Sequence, residues 1–418
     1  MLMQSVDDKI RFHDRKLAKK YEDGSLPMAT FYEAYFDGRV DLPEDEGIYD
    51  VLDERDRFVN YRLTLDHFKW AITNFLPEVL IHSKDQDKRI VQEHYDRGND
   101  FFEWFLGERM VYTSGFFEDP DQTLAQGQDN KMNLVCEKLQ LEPGDKFLDI
   151  GCGWGTLVGH AAKHYGVDAV GVTLAEEQTA YANQRFEEWG IADREEVLCR
   201  DYREIPQQEF DKIASLEMVE HVGVKNLSTY YDEVYDLLAD DGIFFLQWTG
   251  LRRDMGLRTE DLIWGLFMNK YIFPGADASL CPAPMLKATE KAGFEMHSME
   301  NVTRHYGWTI RKWHDNWMSN REKVRENYGD RWYRIWHFFL AWSVYVARQG
   351  NAGCFQVVMN KNLDEFDRAR YVRGESAELG ERFSSPLHEP SLETLTDHPA
   401  VDESDADEES EPTPMVAE

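Results

Sequence analysis

The chain has 418 residues, 42% of them hydrophobic, enough to bury a full core in one large domain or two smaller ones. Its formal net charge of −33 argues against nucleic acid as a partner, because neutralising phosphates needs clustered Lys and Arg. The five cysteines, Cys136, Cys152, Cys199, Cys281 and Cys354, are scattered and lack CxxC or Cys/His metal spacing. They read as free thiols in a reducing, cytoplasmic compartment, with no metal site expected. No run reaches the ~18 apolar residues of a membrane span and no N-terminal segment has signal-peptide order, so any membrane contact is expected to be peripheral.

Residues 1–90 mix helical periodicity, as in Phe68 to Leu80, with acidic loops around Pro43 to Gly47. They predict a helical extension packed on a catalytic domain, with an amphipathic part as the expected contact with a bilayer. From about residue 91 the chain reads HYDRGNDFFEWFLG, then a helix ending near Leu141, then a Pro143-Gly144 turn. Strands are predicted over Lys146 to Ile150, Asp168 to Leu174, Glu196 to Cys199, Phe210 to Ser215, Gly242 to Trp248 and Cys354 to Asn360. Helical stretches separate the first of these, and that alternation predicts an α/β fold with a parallel sheet covered on both faces. The apolar run His337 to Ala347 is too short to span a bilayer and reads as a buried helix. Beyond Leu363 the chain turns polar, and residues 364–418 form an acidic tail expected to be disordered.

Phe147 to Thr156, FLDIGCGWGT, is an apolar strand entering a tight glycine loop and then a helix. Gly151, Gly153 and Gly155 let backbone approach a ligand closely, in a spacing that differs from the dinucleotide-binding pattern. With Asp149 at the strand end, the loop suits a ligand that carries an ammonium and an adenosine without a pyrophosphate; the bland alternative is a turn that merely joins strand to helix. About 20 residues on, where Rossmann-type folds recognise a ribose, Thr173 and Gln178 are candidates for sugar or adenine, whereas Glu176 and Glu177 read as solvated charges near a helix start. Asp201 and Tyr202 follow the next strand and either face the adenine or stand inert in a loop.

Four further segments complete a set: HYDRGNDFFEWFLG at 94–107, MVYTSGFF at 110–117, LEMVEHVG at 216–223 and NKYIFPGADAS at 269–279. Together they resemble the cyclopropane-fatty-acid synthase family over residues 91–363, and the stretches 250–279 and 329–356 are most similar to fungal sphingolipid C9-methyltransferases. The resemblance implies a Rossmann-type class I methyltransferase, with an antiparallel edge strand, that uses S-adenosylmethionine on an unsaturated lipid. It places Tyr112 and Thr113 among the cofactor-binding residues. Fungal members usually begin with two membrane-spanning helices, and this chain shows none.

In that family the alkene attacks the sulfonium methyl and leaves a carbocation that loses a proton, with a bound bicarbonate as helper in the cyclopropane-forming members. The resemblance maps their Cys, Glu, His and Tyr cage to Ser114, Glu220, Gln247 and His314, and a further catalytic Cys position to Ser343. Only Glu220 retains its identity, which puts bicarbonate in doubt and favours methyl transfer followed by proton loss from the chain. Glu220 is the candidate for stabilising or deprotonating the cation and His314 for a base or relay, each set against a purely structural role. The aromatic stretch from Trp308 to Trp342 reads mainly as core, with Tyr306 or Trp313 as pocket members. Arg252, Arg253 and Arg258 either meet a lipid head group or balance nearby acids. Competing readings are a phospholipid cyclopropane synthase, a small-molecule N-methyltransferase and a catalytically silent binder of S-adenosylmethionine.

Overall fold

The computed structural model describes residues 9–22, 26–70, 73, 97–192, 195–206, 208–252, 258–277, 280–364 and 366–368. The expected boundary at residue 90, most of the Phe68 to Leu80 helix, Arg253 and the acidic tail beyond 368 lie outside the described residues.

The centre is a seven-stranded sheet: β1 (Lys146–Ile150), β2 (Asp168–Thr173), β3 (Glu195–Cys199), β4 (Phe210–Leu216), β5 (Leu238–Leu251), β6 (Phe294–Asn301) and β7 (Ala352–Lys361). The order is β3-β2-β1-β4-β5-β7-β6, with β1 to β5 parallel and β7 antiparallel to both its neighbours. This is the class I arrangement that the resemblance implies. In β1, Phe147, Leu148 and Ile150 are all buried, as a strand covered on both faces requires. Strand order reverses between β1 and β4, so their C-terminal ends open the crevice where ligands of such sheets bind.

All six predicted strands are present, and β6 is an addition. Its sequence, FEMHSMEN, alternates only over Phe294 and Met296 and is exposed over its second half, which leaves too short an apolar pattern to read. The helix expected to end near Leu141 is α3 (Leu124–Lys138), held at its start by a capping box in which Thr123 Oγ1 accepts from Gln126 N at 3.2 Å and Gln126 Oε1 accepts from Thr123 N at 2.9 Å. The glycine loop leads into α4 (Thr156–Tyr165).

N-terminal helices α1 (Met28–Phe36) and α2 (Gly47–Asp53) pack on α5 (Thr303–Ser319) and α6 (Asp330–Gln349). The Tyr32 ring meets Phe338 at 6.0 Å and Trp342 at 6.3 Å, while Arg334 donates to the Tyr35 and Val40 carbonyls at 3.2 Å and to Asp41 at 3.0 Å. Tyr32, Tyr35 and Phe36 are buried, each worth roughly 1.5–3 kcal/mol, so these helices share one core with α5 and α6. His337 to Ala347 lies inside α6, and no helix among the described residues is long and apolar enough to cross a membrane.

Candidate active site

The turn after β1 is built from positive-φ glycines. Gly151 (φ +82°) and Gly155 (φ +72°) are also closely packed: a Cβ would lie 2.5 Å from Met218 Cγ at the first and 2.8 Å from Ala182 Cβ at the second. At Gly153 (φ +55°) a Cβ would meet nothing within 4 Å, so this glycine opens the turn to space. That space is a cavity over the ends of β1 to β4, lined by Gly151, Gly153, Thr173, Gln178, Asp201 and Tyr202 among others. An adjoining recess is lined by Tyr112, Thr113, Lys131, Asp149 and Cys152.

Asp149 is 3% exposed and its Oδ1 has no protein partner among the described residues. Burial raises its pKa to about 7, against the pull of the Lys131 ammonium. Burial likewise lowers Lys131 to about 8, and its Nζ donates to Thr113 Oγ1 at 3.0 Å. Thr173 Oγ1 donates to Gln178 Oε1 at 2.6 Å, which orients both toward the cavity they line. The Asp201 carboxylate is engaged otherwise: it accepts from Arg203 Nε at 2.8 Å, Nη2 at 2.5 Å and backbone N at 2.9 Å. An orphan buried carboxylate oxygen beside an open glycine turn fits the ammonium of S-adenosylmethionine, and the Thr173–Gln178 pair fits its sugar or base.

A second cavity lies on the other side of the β4 end. Tyr112, Trp264, Phe273, Tyr306, Trp313 and Phe339 give it aromatic walls, and Glu220 and Ser343 also line it. Trp317, Trp336, Phe338 and Trp342 are core instead. The two cavities share Glu217 and His221.

Glu220 Oε1 accepts from Thr249 N at 2.5 Å and Thr249 Oγ1 at 2.9 Å, leaving Oε2 buried without a partner among the described residues. Burial, and then the neighbouring Glu217 charge, raise its pKa to about 8. Glu217 was not singled out by the sequence reading, although its place directly after a central strand is where open α/β sheets put reacting groups. Its φ of +53° is left-handed, a conformation costing about 1–3 kcal/mol for a non-glycine residue and persisting only where the surroundings hold it. Lys131 gives no sequence signal at all.

Ser114 and Gln247 do come together, around Glu217. Ser114 N donates to Glu217 Oε1 at 2.9 Å and Gln247 Nε2 donates to the same oxygen at 2.7 Å. The Ser114 hydroxyl is turned away, donating to the Gly115 carbonyl at 3.0 Å. Ser343 Oγ donates to the Phe339 carbonyl at 2.7 Å from the cavity wall. His314 is not brought to either cavity: its Nδ1 is hydrogen-bonded to the Tyr49 hydroxyl at 2.6 Å and its ring lies 4.9 Å from that of His337. Arg252 balances an acid, pairing with buried Asp261 at 2.7 and 2.9 Å, whereas Arg258 is exposed.

The protein-family model described as Mycolic acid cyclopropane synthetase matches residues 82–357. The sphingolipid C9-methyltransferase of Komagataella phaffii is 46% identical over 381 residues, which make up 88% of this chain and 77% of that protein. The one from Candida albicans is 44% identical over 377 residues, 87% and 73% of the two chains. Among solved structures, the cyclopropane synthase MmaA2 from Mycobacterium tuberculosis has 28% identity and a TM-score of 0.63, over 66% of this chain and 98% of that one. A match of this extent, laid over the same sheet and glycine turn, makes the chain a member of the mycolic acid cyclopropane synthetase family and an S-adenosylmethionine-dependent methyltransferase.

Proposed function

We propose that the enzyme methylates a double-bond carbon in the sphingoid base of a ceramide-like lipid and that proton loss from the chain restores an alkene. The observation that carries this reading is the meeting of an aromatic-walled cavity with the donor cavity at the Glu217 carboxylate, with buried Glu220 beside it in the aromatic cavity. The similarity to sphingolipid C9-methyltransferases supports the choice of lipid.

S-adenosylmethionine, held by Asp149, the glycine turn, Thr173 and Gln178, supplies an electrophilic methyl at this junction. The chain's own residues do the rest. Aromatic faces of Tyr112, Phe273, Tyr306 and Trp313 exclude water and stabilise positive charge, as a low-dielectric pocket demands. Glu220 adds an oxygen with no protein partner, directed at the same space. Peripheral membrane contact is part of the proposal, supported by Leu65 and Phe68, which are 87% and 54% exposed on one short helix.

The test is an assay of methyl-labelled S-adenosylmethionine against ceramides with an unsaturated long-chain base, unsaturated phospholipids and amines. Label in the ceramide upholds the reading. Label confined to phospholipid or to amines overturns it. Liposome flotation of wild type and Leu65→Ser/Phe68→Ser checks the membrane contact, with weaker binding expected for the variant.

A further inference from the structure

We propose that Glu217 is the group that takes the proton from the lipid chain, a base built into the protein where the donor and chain cavities meet. The inference deepens the C-methyl transfer proposed above and rests on it.

Among the described residues, each hydrogen-bond partner of the Glu217 carboxylate gives it a hydrogen. Ser114 N and Gln247 Nε2 donate at 2.9 and 2.7 Å, the Cys354 thiol donates at 3.8 Å, and the Tyr306 hydroxyl stands beside the carboxylate as a further donor group. Burial raises the Glu217 carboxyl above the ordinary range, and these donors oppose that rise by favouring the ionised carboxylate. The orientation of the Gln247 amide follows from a chain of obligations. Lys138 Nζ cannot accept, so Gln356 must present its oxygen there, at 2.7 Å. Gln356 Nε2 is thereby directed to Gln247 Oε1 at 2.8 Å, which leaves the Gln247 NH₂ for Glu217. A cation at one end thus fixes an N–H donor at the other, and negative charge on Glu217 completes the run.

Glu220 stands in contrast. Only one of its oxygens is engaged, and the nearby Glu217 charge disfavours a second negative charge. The pair therefore carries one charge and one proton, with the charge on Glu217. The left-handed backbone of Glu217 is what turns this carboxylate into the junction; it lines both cavities and the recess beside Asp149.

The chemistry balances without a further reagent. Once the alkene has gained its methyl, one C–H bond next to the positive carbon breaks. Its electron pair becomes the new π bond and its proton passes to a Glu217 oxygen, giving a neutral acid that returns the proton to water after product leaves.

Glu217→Gly removes the base while easing the φ of +53°, so the fold is kept, and it leaves a slot ringed by the donors of Ser114, Gln247 and Tyr306. Glu217→Gln fills that slot with a group that cannot take a proton. Both variants are expected to bind S-adenosylmethionine as wild type does and to lose turnover by about 10²–10⁴-fold. Added formate is expected to restore Glu217→Gly at least about tenfold, to leave Glu217→Gln unrescued and not to affect wild type. Glu217→Gly at wild-type rate without formate, or no rescue by formate, overturns the proposal. Formate binding followed by ¹³C NMR without lipid keeps the two questions apart: binding to Glu217→Gly and not to wild type supports the slot, and no binding to either overturns it. Wild type that methylates no ceramide overturns the substrate reading instead.

Discussion

Glu217 and Glu220 on one side, and His314 and His337 on the other, are two pairs of titratable groups inside one compact unit, and their surroundings differ in kind. The carboxylates line cavities, accept from the backbone and side chains of the sheet domain, and leave Glu220 Oε2 without a partner. The imidazoles line neither of those cavities. Each gives its Nδ1 to a tyrosine of the N-terminal helices, His314 to Tyr49 at 2.6 Å and His337 to Tyr35 at 3.0 Å, and so ties α5 and α6 to α2 and α1. Both pairs are titratable and largely shielded from water; access to a ligand-sized space separates chemistry from packing.

The pH signs of the two clusters are opposite. Burial raises Glu220 to about 8, so the folded state holds a proton that the unfolded chain has released. That contribution is present at low pH and is lost as pH rises from the ordinary carboxylate range through about 8. Burial lowers His337 to about 3 and His314 well below its usual range, so below about pH 6.5 the unfolded chain gains protons that the folded one refuses. Their contribution is full above that pH and falls on acidification.

After the Glu217 variants, the largest effect is expected for Glu220→Ala, which removes the polar group beside the cavity and should bind S-adenosylmethionine normally and lose turnover by about 10²–10³-fold. Full activity in the labelled-methyl assay would place Glu220 with the histidines. Next comes Asp149→Asn, expected to weaken S-adenosylmethionine binding by roughly 10–100-fold, the worth of one charged hydrogen bond. Because Asp149 titrates near 7 and only its charged form attracts an ammonium, wild-type affinity should rise with pH through that value more steeply than in the variant, as calorimetry can measure.

His314→Phe and His337→Phe should cost about 1–3 kcal/mol of stability in denaturant titrations, with turnover within about threefold of wild type. They should also flatten the loss of stability between pH 6.5 and 5. A collapse of turnover in a folded His314→Phe would restore that residue to the site. The smallest effects belong to Ser114→Ala and Ser343→Ala, whose hydroxyls bond only the Gly115 and Phe339 carbonyls; both should stay within about twofold in turnover.

The legible parts of the molecule are those in which local sequence and final role coincide. FLDIGCGWGT carries its strand, its φ-positive turn and a buried carboxylate within ten residues, so β1, the glycine loop and the place of Asp149 beside it could be read directly. Strand β6 could not, because after Phe294 and Met296 its residues are mostly polar and its second half is exposed. Glu217 carries no signal of its own within LEMVEHVG, since what distinguishes it is tertiary: donors on Ser114 and on Gln247 across the sheet, with Tyr306 beside them. His314 fitted a cage position by resemblance, and only the packing of α2 against α5 reveals that its Nδ1 is engaged by Tyr49.

The most direct test follows the hydrogens of the transferred group. With S-adenosylmethionine carrying a fully deuterated methyl and a ceramide acceptor, mass spectrometry and proton NMR of the product should find a methyl branch that keeps all three deuterons beside a retained alkene, because the proton leaves the chain. A product with two deuterons and cyclopropane signals would contradict the account, since the proton would then have left the methyl itself.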